Sequence, residues 1–524
     1  MNKTTSFQSI FLRIPILGAI PPLIALLVPA LLFLPQESLW TDETTVLSGL
    51  TLGPIEIIGW LSGQFHNFNV PPDNAPPVGY WLQMLWSSIF GLTEISLRYF
   101  ALFVVGIAVV VVYETARKAF GFTSGLLAGF LFALSPNVIE QAVNIRVYPI
   151  LLLISACGFY CLVRFFEQSE SNQNKWLIGI VAFSILATYS HFFGVLMAGS
   201  LLSATLLGSW REGRSLKPVL LAIIIAGFAA IGLVPFLIAM FSHLGNKVGG
   251  SDEGNILAIM RLLYRQFAHP TTAVSIVAVI SAALGFSALV ILSIIKKDVG
   301  YKQRDAILTA LIAGFVVIVI GRFLVSPLVT ETRYNLWILP GLCVLLSSSL
   351  AVTFRFSNII KTVAILLLLG ANVYSASRFI INGTYFSHSR FSSVNAYIQK
   401  LEPENITIIH DGNAAVCFAI QYSYGSKIDQ FMVMPDEKSR YILKRFPDLK
   451  TPAGISAINT RYIMLLRTKA IGSPEIANRI KNGKMHLEDS VLKAIMDRSG
   501  NWRLKETQVF VSYFQTDMRI YEKK

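Results

Sequence analysis

From Phe11 to about residue 380 the chain repeats one pattern, an apolar run followed by a short polar break. A bilayer crossing needs about 20 apolar residues. In lipid such a run must satisfy its backbone hydrogen bonds within itself, as a helix does. The runs lie at about 11–34, 95–116, 119–135, 148–165, 176–189, 192–210, 218–241, 273–295, 306–325, 337–353 and 360–380, eleven in all. The first is too long for a signal-peptide core and lacks a small-residue cleavage site, so it reads as an uncleaved span. The expected fold is an α-helical polytopic membrane protein with about 11 transmembrane helices.

Composition agrees: 54% of residues are hydrophobic and 14% charged, against roughly 25% charged in a soluble globular chain. Cys157, Cys161, Cys343 and Cys417 are scattered and form neither a disulfide framework nor a zinc-ligand spacing. The net charge of +14 does not argue for nucleic acid, because in a membrane protein Lys and Arg set topology.

The breaks between runs fall into two classes. One carries Lys3 and Arg13, Arg117 and Lys118, Arg164 and Lys175, and Arg211, Arg214 and Lys217. It continues with Lys296, Lys297, Lys302 and Arg304, then Arg355 and Lys361. The other begins after the first run, and from Ile14 to Leu97 there is no Lys or Arg at all. By the positive-inside bias the first class is cytoplasmic. The N-terminus is then cytoplasmic, and the C-terminal tail lies outside the cell inner (plasma) membrane. Pro77 to Phe90 is apolar but short, about 21 Å as a helix against a core of about 30 Å. It is expected to lie in the interface, helped by Trp81 and Trp86, as is the semi-apolar stretch Thr44 to Gln64.

Domain boundaries follow. Residues 1–384 form the membrane domain, with a first outer loop at about 36–94, and residues 385–524 form a small extracytoplasmic α/β domain. Its strands are expected at ITIIH (406–410), RYIMLL (461–466) and the final QVFVSYFQTDMRIYEK, with helices near 392–401 and 473–494.

Residues able to do chemistry gather in the outer class. Asp42 and Glu43 follow the first span. Adjacent carboxylates near a membrane surface repel each other and are costly to desolvate, a setting that suits a general base. The same residues equally suit a helix start, with Thr41 or Asp42 as N-cap and Glu43 in the first turn. Asp73-Asn74-Ala75-Pro76-Pro77 leads into Tyr80, as a turn entering a helix would. Ser135-Pro136 precedes Arg146 and Tyr148, and an arginine there orients a helix or clamps a phosphate. Tyr189-Ser190-His191-Phe192-Phe193 forms a tight outer turn whose histidine is a hydrogen-bonder or a metal ligand. Arg265, Arg322, Arg333 and Tyr334 complete the set. All lie in outer loops or at their edges, so they can meet in one acidic-centred, arginine-ringed cavity.

The order of these motifs resembles the C-superfamily (GT-C) membrane glycosyltransferases over about residues 10–350. It is closest to bacterial relatives of the dolichyl-phosphate-mannose–protein mannosyltransferases, beside the aminoarabinose transferases. The resemblance rests on the acidic pair, Pro-Pro-x-x-Tyr ending at Phe90-Gly91, Ile-Ser-Leu-Arg-Tyr (95–99) and Ser135 to Tyr148. Tyr-Ser-His-Phe-Phe-Gly (189–194) and Arg333 to Pro340 complete it. It implies inverting transfer of a sugar from a polyprenyl-phosphate donor to a lipid, glycan or protein acceptor among membrane lipids. Asp42, with Glu43, would be catalytic. Arg146, Tyr148, Arg265, Arg333, Tyr334 and Tyr80 would bind substrate. Ala75 and Asn144 stand where relatives often carry His and Glu. Asp73 and His191 remain as candidates for a divalent cation, since some members use one. The residues alone leave two other readings open, a transporter or flippase of a lipid-linked or anionic substrate and an inactive scaffold.

Overall fold

A computed structural model describes residues 15–36, 39–67, 70, 72–73, 75–168, 172–244, 261–267, 273–298, 300–324, 327–352, 357–382, 391–410, 414–432, 455–470, 496, 498–511 and 514–524. The helices in chain order begin with α1 (Ile20–Phe33), α2 (Thr41–Leu50), α3 (Glu56–Leu61), α4 (Val78–Phe90), α5 (Glu94–Phe120) and α6 (Phe122–Ala133). Next come α7 (Pro136–Gln141), α8 (Tyr148–Glu167), α9 (Asn174–Ser190), α10 (Gly194–Arg211), α11 (Lys217–Ile231) and α12 (Val234–Leu244). The last are α13 (Ala273–Ile295), α14 (Tyr301–Leu324), α15 (Ile338–Ser348), α16 (Ser357–Asn382), α17 (Phe391–Leu401) and α18 (Ala414–Tyr424). The chain divides into two compact units: Met1–Gln36 with Asn74–Gly383, and Glu37–Asp73 with Thr384–Lys524.

The first unit is helical. Each of the eleven apolar runs is mostly helix where it is described, but some are broken by turns and not all have the length of a span. Among the described residues five helices are long and apolar enough to cross a membrane, at Glu94–Phe120, Tyr148–Glu167, Ile276–Ile295, Tyr301–Phe323 and Asn358–Arg378. Lys217–Ile231 and Val234–Phe241 make a sixth if their 51° bend is counted within one span. Leu17–Phe33, Phe122–Ala133 and Ile338–Ala351 are apolar but shorter. Hydropathy alone misses the breakers that shorten them. Gly121, at φ 94°, ends α5 and starts α6, and Pro136 opens α7 three residues after α6 stops.

Local chemistry explains the boundaries. Thr93 caps α5 by accepting from Ser96 N at 3.2 Å. Glu94 sits in the first turn and Arg117 and Lys118 in the last, each matched to the helix dipole. At the bend between α11 and α12, Pro235 offers no N–H to the preceding turn. Tyr189 donates its hydroxyl to the Ala229 carbonyl there at 2.6 Å. Gly232 leaves room for that phenol, since a Cβ would lie 2.1 Å from the Tyr189 hydroxyl.

The basic loops meet at one end of the bundle. Lys118 donates to Tyr160 at 3.3 Å, and Arg214 reaches Gln173 at 2.8 Å and pairs with Glu212. Lys302 pairs with the same Glu212 at 3.2 Å, and Arg211 with Asp305 at 2.8 Å. Arg304, fully buried, donates to Ser293 and Ser348 and lies over the Phe120 ring. These contacts join residues sequence reading had placed on one side of the membrane. Helix α4 buries Gly79, Tyr80 and Gln83 and exposes Leu82, Leu85 and Ile89. A helix too short to span, with an apolar stripe left exposed, has the pattern of one lying in an interface.

In the second unit, α2 and α3 bury Val46, Leu47, Ile57 and Trp60. Asn67 ties the segment together by donating to the Ser48 carbonyl at 2.5 Å, and α2 packs on α18. The strands are β1 (Ile406–His410), β2 (Asp429–Met432), β3 (Tyr462–Ala470), β4 (Trp502–Val511) and β5 (Phe514–Lys523), in sheet order β2-β1-β3-β5-β4. β1 runs parallel to β2 and β3, and β5 antiparallel to β3 and β4. Ile408, Met464 and Ile520 stand in register and pack with Val394, Ile398 and Ile420 of the helices. The opposite face carries Ile409, Ile463, Leu465 and Trp502. β1 is therefore buried on both faces, as parallel strands are. The helix expected near 392–401 is α17, whereas that expected near 473–494 lies outside the described residues.

Candidate functional site

The site grows from three turns at the end of the helical unit away from the basic loops. The first joins α7 to α8. Gln83 donates to the Arg146 carbonyl at 3.3 Å and Arg98 to the Val143 carbonyl at 2.5 Å. Arg98 is itself buried and paired with Glu94 at 2.7 Å. These bonds pin the backbone that presents Arg146, and Tyr148 and Pro149 then start α8.

The second turn, between α9 and α10, holds His191 in extended backbone. The His191 carbonyl accepts from Gly194 N at 2.7 Å, and His191 Nδ1 accepts from Phe193 N at 3.1 Å. The tightness of this turn requires glycine at 194, where a Cβ would fall 2.0 Å from the Ala187 carbonyl oxygen. The third turn, Thr332–Asn335, carries Arg333 and Tyr334. Asn335 braces it by donating to the Val329 and Glu331 carbonyls, and Arg322 by donating to Thr330 at 2.5 Å.

The turns converge. The His191 ring centre lies 5.4 Å from Tyr148, 5.7 Å from Tyr334 and 5.6 Å from Phe193, and Phe193 stacks on Tyr334 at 4.9 Å. Arg333 lies over Tyr334 and donates to its hydroxyl at 3.2 Å. Burial pushes the His191 imidazole down to about 3, helped by the nearby Arg146 and Arg333 cations. The imidazole is thus neutral at physiological pH. The arrangement can receive an oxyanion and opposes a cation.

The remaining sequence candidates are placed as follows. Arg265 is held at this end through its carbonyl, which accepts from Asn137 at 2.5 Å beside the Ser135–Gln266 bond of 2.6 Å. Tyr80 is buried on α4. Asp42, Glu43 and Asp73 belong to the second unit. Trp40, rather than Thr41 or Asp42, occupies the N-cap of α2. Asp42 is half-buried in the first turn, and the buried Glu43 accepts from Trp40 N at 3.4 Å. Among the described residues no three His, Cys, Asp or Glu gather as a metal group. His191 does not fit a divalent cation, because two guanidinium groups charge its surroundings positively. Sequence reasoning did not single out Gln83, and it held Arg98 only within the 95–99 motif; both hold the backbone around Arg146. Phe193 was legible only as part of its motif.

The fold and this site define a polytopic helical membrane protein with a cluster of arginine, histidine and aromatic side chains at one end of its bundle. Residues 74–238 match the family described as dolichyl-phosphate-mannose-protein mannosyltransferase, a stretch that includes Arg146, Tyr148 and His191. No curated protein sequence matches the chain. The fold is similar to that of ArnT from Cupriavidus metallidurans in the apo state, with TM-score 0.53 and 12% identity over 99% of this chain and 98% of that one. The same protein bound to undecaprenyl phosphate aligns with TM-score 0.53 and 13% identity over 96% and 97%. An oligosaccharyltransferase from Archaeoglobus fulgidus, in complex with zinc and sulfate, gives TM-score 0.45 and 12% identity over 84% and 67%. The resemblance to GT-C membrane glycosyltransferases read from the motifs thus recurs in the family match and in the fold.

Proposed function

We propose that this protein transfers a sugar, with inversion, from a polyprenyl-phosphate donor to a hydroxyl of a lipid, polysaccharide or protein on the outer face of the cell inner membrane. The observation that carries this reading is the meeting of Arg146 and Arg333 beside a neutral His191, walled by Tyr148, Phe193 and Tyr334. The chemistry matches an anionic leaving group flanked by apolar surface. The fold relative ArnT, described with undecaprenyl phosphate bound, supports the choice of carrier.

The reaction is a single displacement. Asp42 takes the proton from the acceptor hydroxyl. The oxygen attacks the anomeric carbon, and the bond from that carbon to the phosphate oxygen breaks on the opposite face. The phosphate leaves with the electron pair, and Arg146 and Arg333, with Arg265, stabilise its charge. Glu43 holds the helix start that presents Asp42. Tyr80, Tyr148 and Tyr334 line the substrate.

The test is reconstitution of the full chain in vesicles with polyprenyl-phosphate sugars. The expected result is release of polyprenyl phosphate and an envelope glycan or glycolipid, found by mass spectrometry, that cells without the protein lack. No release and an unchanged envelope would contradict the reading.

A further inference from the structure

The His191 ring has one nitrogen accounted for and one not. Nδ1 accepts the Phe193 N–H at 3.1 Å, so it carries no proton. A neutral imidazole must then bear its proton on Nε2. The residue is 4% exposed, and its side-chain hydrogen bond among the described residues is the one to Nδ1, which leaves Nε2 to a ligand. A donor on a largely buried ring with no partner in the protein marks a place where a ligand's acceptor can sit. The charged and titratable groups beside the ring are Arg146 and Tyr148 from the α7–α8 turn and the start of α8, and Arg333 and Tyr334 from the turn before α15. Two are cations and two are phenols, so none is an acceptor carboxylate.

We propose that His191 is a ligand-binding donor, a neutral imidazole fixed in the Nε2–H tautomer that hydrogen-bonds an anionic phosphate oxygen held beside Arg146 and Arg333. It donates a hydrogen bond and not a proton, so charge on the leaving phosphate is stabilised without an acid that must recharge each cycle. Burial, helped by the nearby cations, keeps the ring in this state, and the Phe193 amide selects the tautomer. The proposal rests on the reading of the site as a polyprenyl-phosphate site, and its test separates the two.

The experiment uses the full chain in detergent, labelled with ¹⁵N-histidine, with His191→Gln and His191→Phe variants and two probes, undecaprenyl phosphate and inorganic phosphate. The His191 signal, assigned by its loss in the variants, is expected to stay Nε2-protonated from pH 5 to 8 and to move on adding undecaprenyl phosphate. Affinity for that probe is expected to fall about tenfold or more in His191→Phe, the scale of one hydrogen bond to a charged group. It recovers most of the way in His191→Gln, whose amide keeps a donor. If the signal moves with inorganic phosphate alone, the donor role stands and the polyprenyl-phosphate reading falls. A signal that titrates between pH 5 and 8, that reports Nδ1–H, or that neither probe moves overturns the proposal, as does unchanged affinity in His191→Phe.

Discussion

His191 shows how much one residue depends on charges brought from elsewhere in the chain. Its neutrality comes from burial and from Arg146 and Arg333, which reach it from two other turns. The motif around it marked the turn, but a single sequence does not state which cations will face a histidine across a fold. The consequence is measurable. An unfolded histidine takes up a proton near pH 6.5. Folded His191 refuses it until about pH 3, and His410, buried in β1 beside Gln430, until about pH 4. Between those values the unfolded state binds more protons, so stability falls as pH falls through that window. Thermal unfolding of the purified protein from pH 7 to pH 4 is expected to show a declining midpoint, with a shallower decline in His191→Gln. A second prediction concerns Arg333. Replacing it with Ala is expected to raise the KM for the polyprenyl-phosphate donor about tenfold or more, with Lys recovering only part, because a point charge lacks the guanidinium fork. Steady-state kinetics on the two variants decides it.

At the scale of elements, apolar runs located the helices but did not fix how far each extends. Gly121 and Pro136 shorten α6 between them, and Pro235 bends the α11–α12 pair by 51°. Hydropathy averaged over a window sees none of these breakers. The short strand β2 escaped notice because four residues carry too little periodicity, while β1 and β3 announced themselves as apolar runs. Trp40 as N-cap of α2 was unexpected, since its side chain offers no acceptor and the capping carboxylate comes from Glu43. The α9–α10 turn gives a clean element-level test. Gly194→Ala places a Cβ 2.0 Å from a backbone oxygen that no rotamer change can move. A loss of about 1–3 kcal/mol is expected from such overpacking, read as a lowered unfolding midpoint together with lost donor binding.

For the whole molecule, the legible part was the sorting of charge. Residues assigned to one side from the positive-inside bias contact one another at one end of the helical unit, and three turns of the other class meet at the opposite end. Less legible was the association of Glu37–Asp73 with the C-terminal segment, because contacts between distant stretches leave no periodic trace. A reporter fused after Lys524 is expected to lie outside the cytoplasm, and a cytoplasmic signal would reverse the orientation. The central claim is transfer from a polyprenyl-phosphate sugar with Asp42 as the base, and the rate of that transfer in Asp42→Asn full-length protein tests it most directly. A folded variant that binds donor but turns over at least about a thousandfold more slowly is the expected result. Turnover near the wild-type rate would contradict the account.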